Sequence, residues 1–146
     1  MAPRSIRSVT LVAALGAALG CHRAGPSTQA TPLGSDLFNY TWILRSLNGQ
    51  PTTLGVNGRD PTLRFGTDGV ATGFGGCTRF RSTYRVDGER LRFQPATTPD
   101  AACDAGTTQE RALILALNQV RAWRLAGRHL ELLDDAGGTV LDLDRR

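Results

Sequence analysis

Two side chains in this sequence could form a nucleophilic pair, the thiol of Cys77 and the imidazole of His129. A histidine beside a cysteine can act as the base that generates a thiolate nucleophile. The competing interpretation is a structural disulfide between Cys77 and Cys103. We favour the disulfide because the first 20 residues resemble a secretory signal, as described below, and disulfides persist in exported proteins, where a catalytic thiolate would have to stay reduced.

Carboxylates are the second group that could do chemistry. Asp134 and Asp135 are adjacent, and Asp142 and Asp144 are two apart. Acidic residues near turns and on strand faces are more often solvated than catalytic. The sequence also lacks the zinc-protease, serine-hydrolase and P-loop motifs. We therefore predict no enzymatic activity and no catalytic, cofactor-binding or metal site.

The N-terminal residues have the order of a secretory signal. Arg4 and Arg7 form a basic segment, residues 9–19 are apolar, and small residues precede Cys21. The apolar run is too short to span a bilayer, so residues 1–20 are interpreted as a signal peptide. The alternatives are a signal cleaved elsewhere or a short core helix. The cysteine after a small residue resembles a bacterial lipobox, which makes Cys21 the candidate for lipidation.

The cysteine count is consistent with that interpretation. The chain has three cysteines, and an odd number in an exported protein requires an explanation. If Cys21 carries lipid, Cys77 and Cys103 remain as one pair in an oxidising compartment. Each of the two assignments therefore supports the other.

Residues 21–36 comprise the lipidated cysteine and a tether rich in Pro, Gly, Ser and Thr. Random-coil scaling gives such a tether a reach of about 20 Å. Residues 37–146 are enough for one domain with a hydrophobic core. His22 lies in the tether and His129 beside a turn, so the sequence does not favour a histidine metal site.

The charge pattern argues against a nucleic-acid partner. The precursor has a net charge of +4, and all 17 basic residues are arginine. Basic and acidic residues are interspersed along the chain, whereas nucleic-acid binding usually requires a concentrated basic patch. We therefore predict no nucleic-acid partner.

Short alternating segments and tight turns predict most of the domain. Strands are expected at residues 40–44, 62–65 and 70–74, and a hairpin turning at Asp87-Gly88 pairs Tyr84 and Val86 with the strand after it. A loop is expected over residues 95–106, and three short strands over the last part of the chain.

One amphipathic helix follows this loop. Thr107 and Glu110 fit a capping box, and apolar residues recur at helical spacing over residues 113–120. The predicted fold is therefore a single α+β domain, a mainly antiparallel β-sheet packed against one amphipathic α-helix.

Residues 73–84 contain three glycines, Cys77 and three aromatic residues. A glycine cluster after a strand indicates a bulge or a tight corner, where backbone takes positive φ or lies close to another segment. We expect this corner to be tied by Cys77 to the loop before the helix.

The order of these elements resembles the META domain family, also called HslJ-like. The resemblance covers residues 37–144 and rests on this ordered set: Trp42, Leu44, Leu47-Asn48-Gly49, Leu63, Phe65, Gly73, Gly76-Cys77, Phe80, residues 84–93, Ala102-Cys103, Glu110, Leu113, Leu117, Leu130 and Leu132. The chain departs from the usual family pattern at Thr78, Ala101 and Asp104. Family members commonly have Asn at the position of Thr78, Met at the position of Ala101 and Pro at the position of Asp104.

The resemblance implies an exported α+β domain, frequently lipid-anchored in bacteria and associated with envelope stress or antibiotic tolerance. It implies no established enzymatic activity. By similarity to lipoprotein sorting patterns, His22 after Cys21 is not a signal for retention in the inner membrane. We therefore expect a lipid anchor in the outer membrane, with the domain facing the periplasm.

Two functional hypotheses follow. The first is a non-catalytic envelope protein that binds another envelope component. Its candidate contact surface is the solvent face of the sheet, which carries Arg64, Arg85, Arg90 and Arg92. The second is an inhibitor of a hydrolase or protease that inserts the disulfide-stiffened loop over residues 95–106 into an active site. A rigid loop loses less conformational entropy on binding.

Overall fold

The computed structural model describes residues 35–101 and 103–146. The predicted signal peptide, the lipidation site at Cys21 and nearly all of the tether lie outside these residues. Within the described part of the chain, no helix has the length and apolar character needed to cross a membrane.

The described residues form nine strands, one α-helix and two short 3₁₀ turns at Ser35–Leu37 and Val56–Gly58. The α-helix, α1, spans Thr107–Gln119. The strands are β1 (Trp42–Leu47), β2 (Gln50–Pro51), β3 (Thr62–Phe65), β4 (Val70–Phe74), β5 (Arg79–Asp87), β6 (Arg90–Phe93), β7 (Ala122–Ala126), β8 (His129–Leu133) and β9 (Thr139–Arg145).

The strands close into an eight-stranded antiparallel barrel. From β3 to β9 each strand pairs with the next one along the chain, and β1 pairs with both β3 and β9. The two-residue β2 is outside the ring and pairs only with the end of β1. The prediction of a single, mainly antiparallel domain with one helix is confirmed in that form. The closure of the sheet was not predicted.

Alternation along the strands places one set of side chains inside the barrel. In β5, Phe80, Ser82 and Tyr84 point inward and are buried, whereas the residues between them are exposed. Trp42 of β1 is fully buried, and its indole Nε1 donates a hydrogen bond to the carbonyl oxygen of Leu37 at 3.1 Å. The 3₁₀ turn before β1 thereby satisfies the one polar atom of the largest core side chain.

Three aromatic rings pack together inside the barrel. Phe65 contacts Tyr84 edge-to-face with ring centroids 5.1 Å apart, and Phe93 lies 5.9 Å from Phe65. The Tyr84 hydroxyl donates to the Gly66 carbonyl oxygen at 2.6 Å. Burial, together with the nearby charge of Asp68, raises the pKa of Tyr84 to about 12. Tyr84 is therefore a neutral hydrogen-bond donor at all ordinary pH values.

Helix α1 lies across one end of the barrel. It contacts β6 on one side and β1 and β9 on the opposite side, and these strands face each other in the ring. Leu113, Ala116 and Leu117 on its inner face are buried in the core, whereas Leu115 is 65% exposed. The apolar stripe predicted from the sequence is therefore the face that closes the barrel end.

Two details of the sequence prediction were wrong. The first strand begins at Trp42, later than expected, and extends to Leu47. The capping box does not form, because the N-cap is Gly106 and no side chain caps the helix. The Thr107 hydroxyl instead accepts a hydrogen bond from the Cys103 amide and donates one to the Cys103 carbonyl oxygen. The Glu110 carboxylate does not cap the helix but accepts a hydrogen bond from the Cys77 amide.

Leu117→Ala should destabilise the domain by about 2–5 kcal/mol, because it removes a fully buried side chain where the helix meets the barrel. The control is Leu115→Ala on the exposed face of the same helix, which deletes the same atoms from solvent. Urea unfolding of both variants measures the difference. Equal effects of the two substitutions would contradict the position assigned to the helix.

Candidate functional site

The segment between β4 and β5, residues 75–78, forms the glycine corner of the barrel. At Gly75 an added Cβ would lie 2.6 Å from the Glu110 Cγ atom. At Gly55 it would lie 2.2 Å from the Gly76 carbonyl oxygen, which accepts a hydrogen bond from the Val56 amide at 2.8 Å. Only residues without a side chain allow these backbones to approach so closely.

The glycine immediately before α1 is subject to the same constraint. Gly106 has φ +84°, and a Cβ there would lie 2.2 Å from the Gly76 carbonyl oxygen. Gly76 itself has φ +129°. The helix therefore begins against the corner, backbone to backbone.

Glu110 joins the helix to the corner through its side chain. One carboxylate oxygen accepts hydrogen bonds from the backbone amides of Cys77 at 3.0 Å and Thr78 at 2.6 Å. The other accepts from the Thr78 hydroxyl at 2.6 Å. Glu110 is 7% exposed, so this carboxylate has exchanged water for three protein donors.

The neighbouring residue Gln109 ties a third segment to the same place. Its side-chain oxygen accepts from the Thr53 amide at 2.8 Å, and its amide nitrogen donates to the carbonyl oxygens of Thr53 at 3.0 Å and Gly75 at 3.2 Å. The first turn of α1 thus holds the segment after β2 and the glycine corner together.

A disulfide joins Cys77 to Cys103, with the Cα atoms 5.6 Å apart. It links the glycine corner to the segment before α1, whereas Glu110 links the same corner to the helix itself. By the chain-entropy model, closing a loop of 26 residues contributes roughly 3.5 kcal/mol to stability. In this disulfide Cys77 has no thiol, so the Cys77–His129 nucleophile hypothesis would require the bond to be reduced.

The three positions that depart from the usual family pattern have different environments. Thr78 supplies two of the three donors to Glu110, through its amide and its hydroxyl. Ala101 and Asp104 lie on either side of Cys103 and are exposed. Of the three departures, only Thr78 contributes a side-chain hydrogen bond to the corner among the contacts that the structure describes.

The four arginines of the predicted contact surface do not form one group. Arg85 of β5 and Arg92 of β6 are direct cross-strand partners, and Arg90 lies two residues before Arg92 on the same exposed face. Arg64 lies on β3, two strands from β5, in register with Thr72 of β4. The hairpin arginines (Arg85, Arg90 and Arg92) therefore form one surface, and Arg64 belongs to another.

His129 lies between two carboxylates on the outer face of β8 and β9. Its Nδ1 is 3.1 Å from an Asp144 oxygen and its Nε2 is 3.3 Å from an Asp142 oxygen. Arg45 of β1 also contacts Asp144, at 3.0 Å. The hydrogen bond with Asp144, opposed by desolvation and supported by the Asp142 charge, raises the pKa of His129.

This cluster is an electrostatic link across three strands. The hydrogen bonds from His129 and Arg45 lower the pKa of Asp144. Asp134, by contrast, accepts hydrogen bonds from the Ala136 and Gly138 amides and stabilises a turn. In residues 35–101 and 103–146, no three His, Cys, Asp or Glu side chains are arranged to hold a metal ion.

The sequence reasoning missed the contact made by Glu110. A signal was present, because Glu110 precedes Leu113 by three residues and Leu117 by seven, which places a carboxylate on the buried stripe of the helix. It also missed Arg79 and Arg81, which alternate with buried Phe80 and therefore lie on the same outer face as Arg85.

Solved structures with a similar fold exist. An NMR structure of a protein from Burkholderia xenovorans has a TM-score of 0.60 and 24% identity, over 86% of this chain and 97% of that one. A crystal structure of a DUF4847 family protein from Bacteroides vulgatus has a TM-score of 0.51 and 15% identity, over 74% of this chain and 93% of that one. At such identities the likeness concerns the fold alone. Comparison with curated proteins gives no match.

The closed antiparallel barrel, with one helix across its end and a glycine corner bonded to that helix, defines a class of small β-barrel domains. The family model of the META domain matches residues 35–146. The chain belongs to the META domain family.

Glu110→Gln should destabilise the domain by about 2–4 kcal/mol. The glutamine amide would place an NH₂ donor where one Glu110 oxygen now accepts a hydrogen bond. The remaining oxygen would be uncharged, and hydrogen bonds to a neutral acceptor are weaker than those to a carboxylate. Glu89→Gln, at an exposed position, makes the same chemical change without these contacts. Thermal unfolding of the two variants measures the effect. A Glu110→Gln variant as stable as Glu89→Gln would show that the contact does not stabilise the fold.

His129 should titrate above its ordinary pKa, and Asp144→Asn should lower that value. NMR titration of the imidazole measures both. Because the folded-state pKa is raised, the contribution of His129 to stability is present below its unfolded pKa and is lost as pH rises through the folded value. The pKa of Asp144 is lowered, so its contribution is lost as pH falls through its folded value. An imidazole pKa unaffected by Asp144→Asn would contradict the pairing.

Proposed function

We propose that this protein is a non-catalytic, lipid-anchored protein of the bacterial envelope that binds another envelope component. A role in envelope stress or antibiotic tolerance is part of the proposal, and it is the role that the resemblance to the META domain family implies. The proposed anchor is a lipidated Cys21 in the outer membrane, with the domain facing the periplasm. A singly acylated chain is only marginally bound to membranes, so stable anchoring requires the multiple acylation that a lipoprotein cysteine carries.

The observation that carries the binding proposal is the cross-strand pair Arg85 and Arg92. Like charges directly opposite each other on a sheet are unfavourable. Neither guanidinium, nor that of Arg90, forms an ion pair with any residue that the structure describes. An acidic partner surface would neutralise these charges, and Arg favours bidentate pairing with carboxylates.

The anchor is tested by Cys21→Ser. The full chain with Cys21 should partition into the detergent phase and the variant should be released or remain unprocessed. Detergent-phase partitioning that is unchanged by the substitution would contradict lipidation at this residue.

The binding surface is tested by Arg85→Glu with Arg92→Glu. The full chain, immobilised, should recover an acidic envelope component in a manner that weakens with salt, and the double variant should lose it. The control is Arg111→Glu with Arg146→Glu, which makes the same charge change at exposed positions outside the hairpin. Equal recovery by both double variants would contradict a role for the hairpin arginines.

A specific observation also favours the second candidate, inhibition of a hydrolase or protease. The predicted loop is fixed at both ends, by backbone hydrogen bonds between Thr97 and Arg81 and by the disulfide at Cys103. Residues 98–101 between these points are exposed. If this loop enters an active site, replacing Pro99 and Asp100 by glycine should abolish capture of a hydrolase, while Arg85→Glu with Arg92→Glu should leave that capture unchanged.

A further inference from the structure

A cleft of about 680 Å³ lies on the outer face of β3, β4 and β5, and none of the hairpin arginines lines it. This volume is within the range of small-molecule sites. The cleft is lined by Arg59, Thr62, Arg64, Thr72, Gly73, Phe74, Arg79, Phe80, Arg81 and residues 97–99.

The lining has charge of one sign. Four arginines, Arg59, Arg64, Arg79 and Arg81, contribute to it and no acidic residue does. Among the described residues none of these four guanidiniums forms an ion pair. Asp68 lines an adjoining depression, where its carboxylate accepts a hydrogen bond from the Val70 amide. Four cations that face a shared space repel one another, and a multivalent anion would relieve that repulsion.

The strand register fixes the spacing of two of these arginines. Arg64 of β3 is the partner of Thr72 on β4, and Thr72 is the partner of Arg81 on β5. Arg64 and Arg81 therefore originate about 10 Å apart, two strand spacings, with the Thr72 hydroxyl between them. Two arginines whose backbones lie this far apart can each direct a guanidinium group to a different oxyanion of one ligand, and each can bind its oxyanion bidentately.

The other two arginines are positioned by the next row of the sheet. Thr62, Phe74 and Arg79 are partners across β3, β4 and β5. Phe74 is only 3% exposed although its position faces outward, and the Arg59 guanidinium lies 4.3 Å from the centre of its ring. Cation–π stacking holds Arg59 over this row.

The outer wall of the cleft is also fixed. The backbone of Thr97 bonds to that of Arg81 in both directions, at 2.7 and 3.0 Å, so residues 97–99 are held beside β5. Gly73 and Phe80 form the floor of the cleft. A Cβ atom added to Gly73 would lie 2.4 Å from the Cζ atom of Phe80, so the Phe80 ring packs directly against the Gly73 backbone. The cleft is thus built on strands and a bonded segment, which fix the backbone positions from which Arg64, Arg79 and Arg81 extend.

We propose that this cleft binds a small multivalent oxyanion, a ligand with two or more phosphate or carboxylate groups within about 10 Å of one another. Arg64 and Arg81 hold two of these groups, and Arg59 and Arg79 neutralise the remaining charge. The site shares no residue with the hairpin arginines or with the disulfide. It stands or fails independently of the proposed envelope partner.

The experiment is calorimetric titration of the full chain with tripolyphosphate and, in a parallel arm, with citrate. We expect binding of one ligand per chain that weakens as salt is added. Tighter binding of citrate, which carries less charge than tripolyphosphate, would favour a carboxylate ligand, and tighter binding of tripolyphosphate is consistent with a phosphate ligand. Binding of neither probe would overturn the proposal.

Arg64→Gln with Arg81→Gln should weaken binding of the tighter probe at least tenfold. Arg111→Gln with Arg146→Gln is the matched control, since it also removes two exposed arginines, neither of which lines the cleft. It should leave the affinity within about twofold, as expected if the cleft and not total charge sets affinity. Equal weakening by both double variants would overturn the proposal in favour of attraction by net charge. Thermal unfolding of each variant confirms that it is folded before titration.

Discussion

The arrangement of helix and barrel depends on the hydrogen bonds between the Glu110 carboxylate and the glycine corner. It accepts three hydrogen bonds from two consecutive residues of the glycine corner, and it is buried while doing so. Removing one partner of such a contact leaves buried donors without acceptors, which costs more than the contact itself contributes. The glycines around the corner are required because the carboxylate reaches its donors only when the two backbones nearly touch.

The disulfide and Glu110 constrain the same place by different means. The covalent bond acts on the unfolded chain, whose freedom it reduces. The carboxylate acts on the folded state alone, since its donors are brought together only there. Cys77 takes part in both, through its sulfur and its amide. The barrel thereby holds α1 by a covalent bond and a carboxylate contact in addition to apolar contact.

Local patterns were sufficient for much of the fold. The alternation in residues 62–65 and 70–74 predicted β3 and β4 within the bounds observed, and the stripe containing Leu113 and Leu117 predicted α1. Closure of the barrel could not be predicted in this way, because pairing of β1 with β9 joins residues about a hundred positions apart and leaves no local signal. Arg64 was expected on a contact surface, but its grouping with Arg81 was missed for a related reason, since only the strand register brings these two residues to one surface.

The pairing of β1 with β9 has a consequence for how the chain acquires its structure. Trp42 of β1 is the partner of Arg145 in β9. The ribosome synthesises β1 early and β9 late, so β1 cannot form this pairing until nearly the whole chain has been made. Contacts of such sequence separation slow folding, since the ring-closing step must follow a large loss of chain entropy. Until β9 arrives, β1 and β8 each have an open edge to which strands of other chains could add. The interval before closure is therefore the stage at which this domain is most exposed to misassembly.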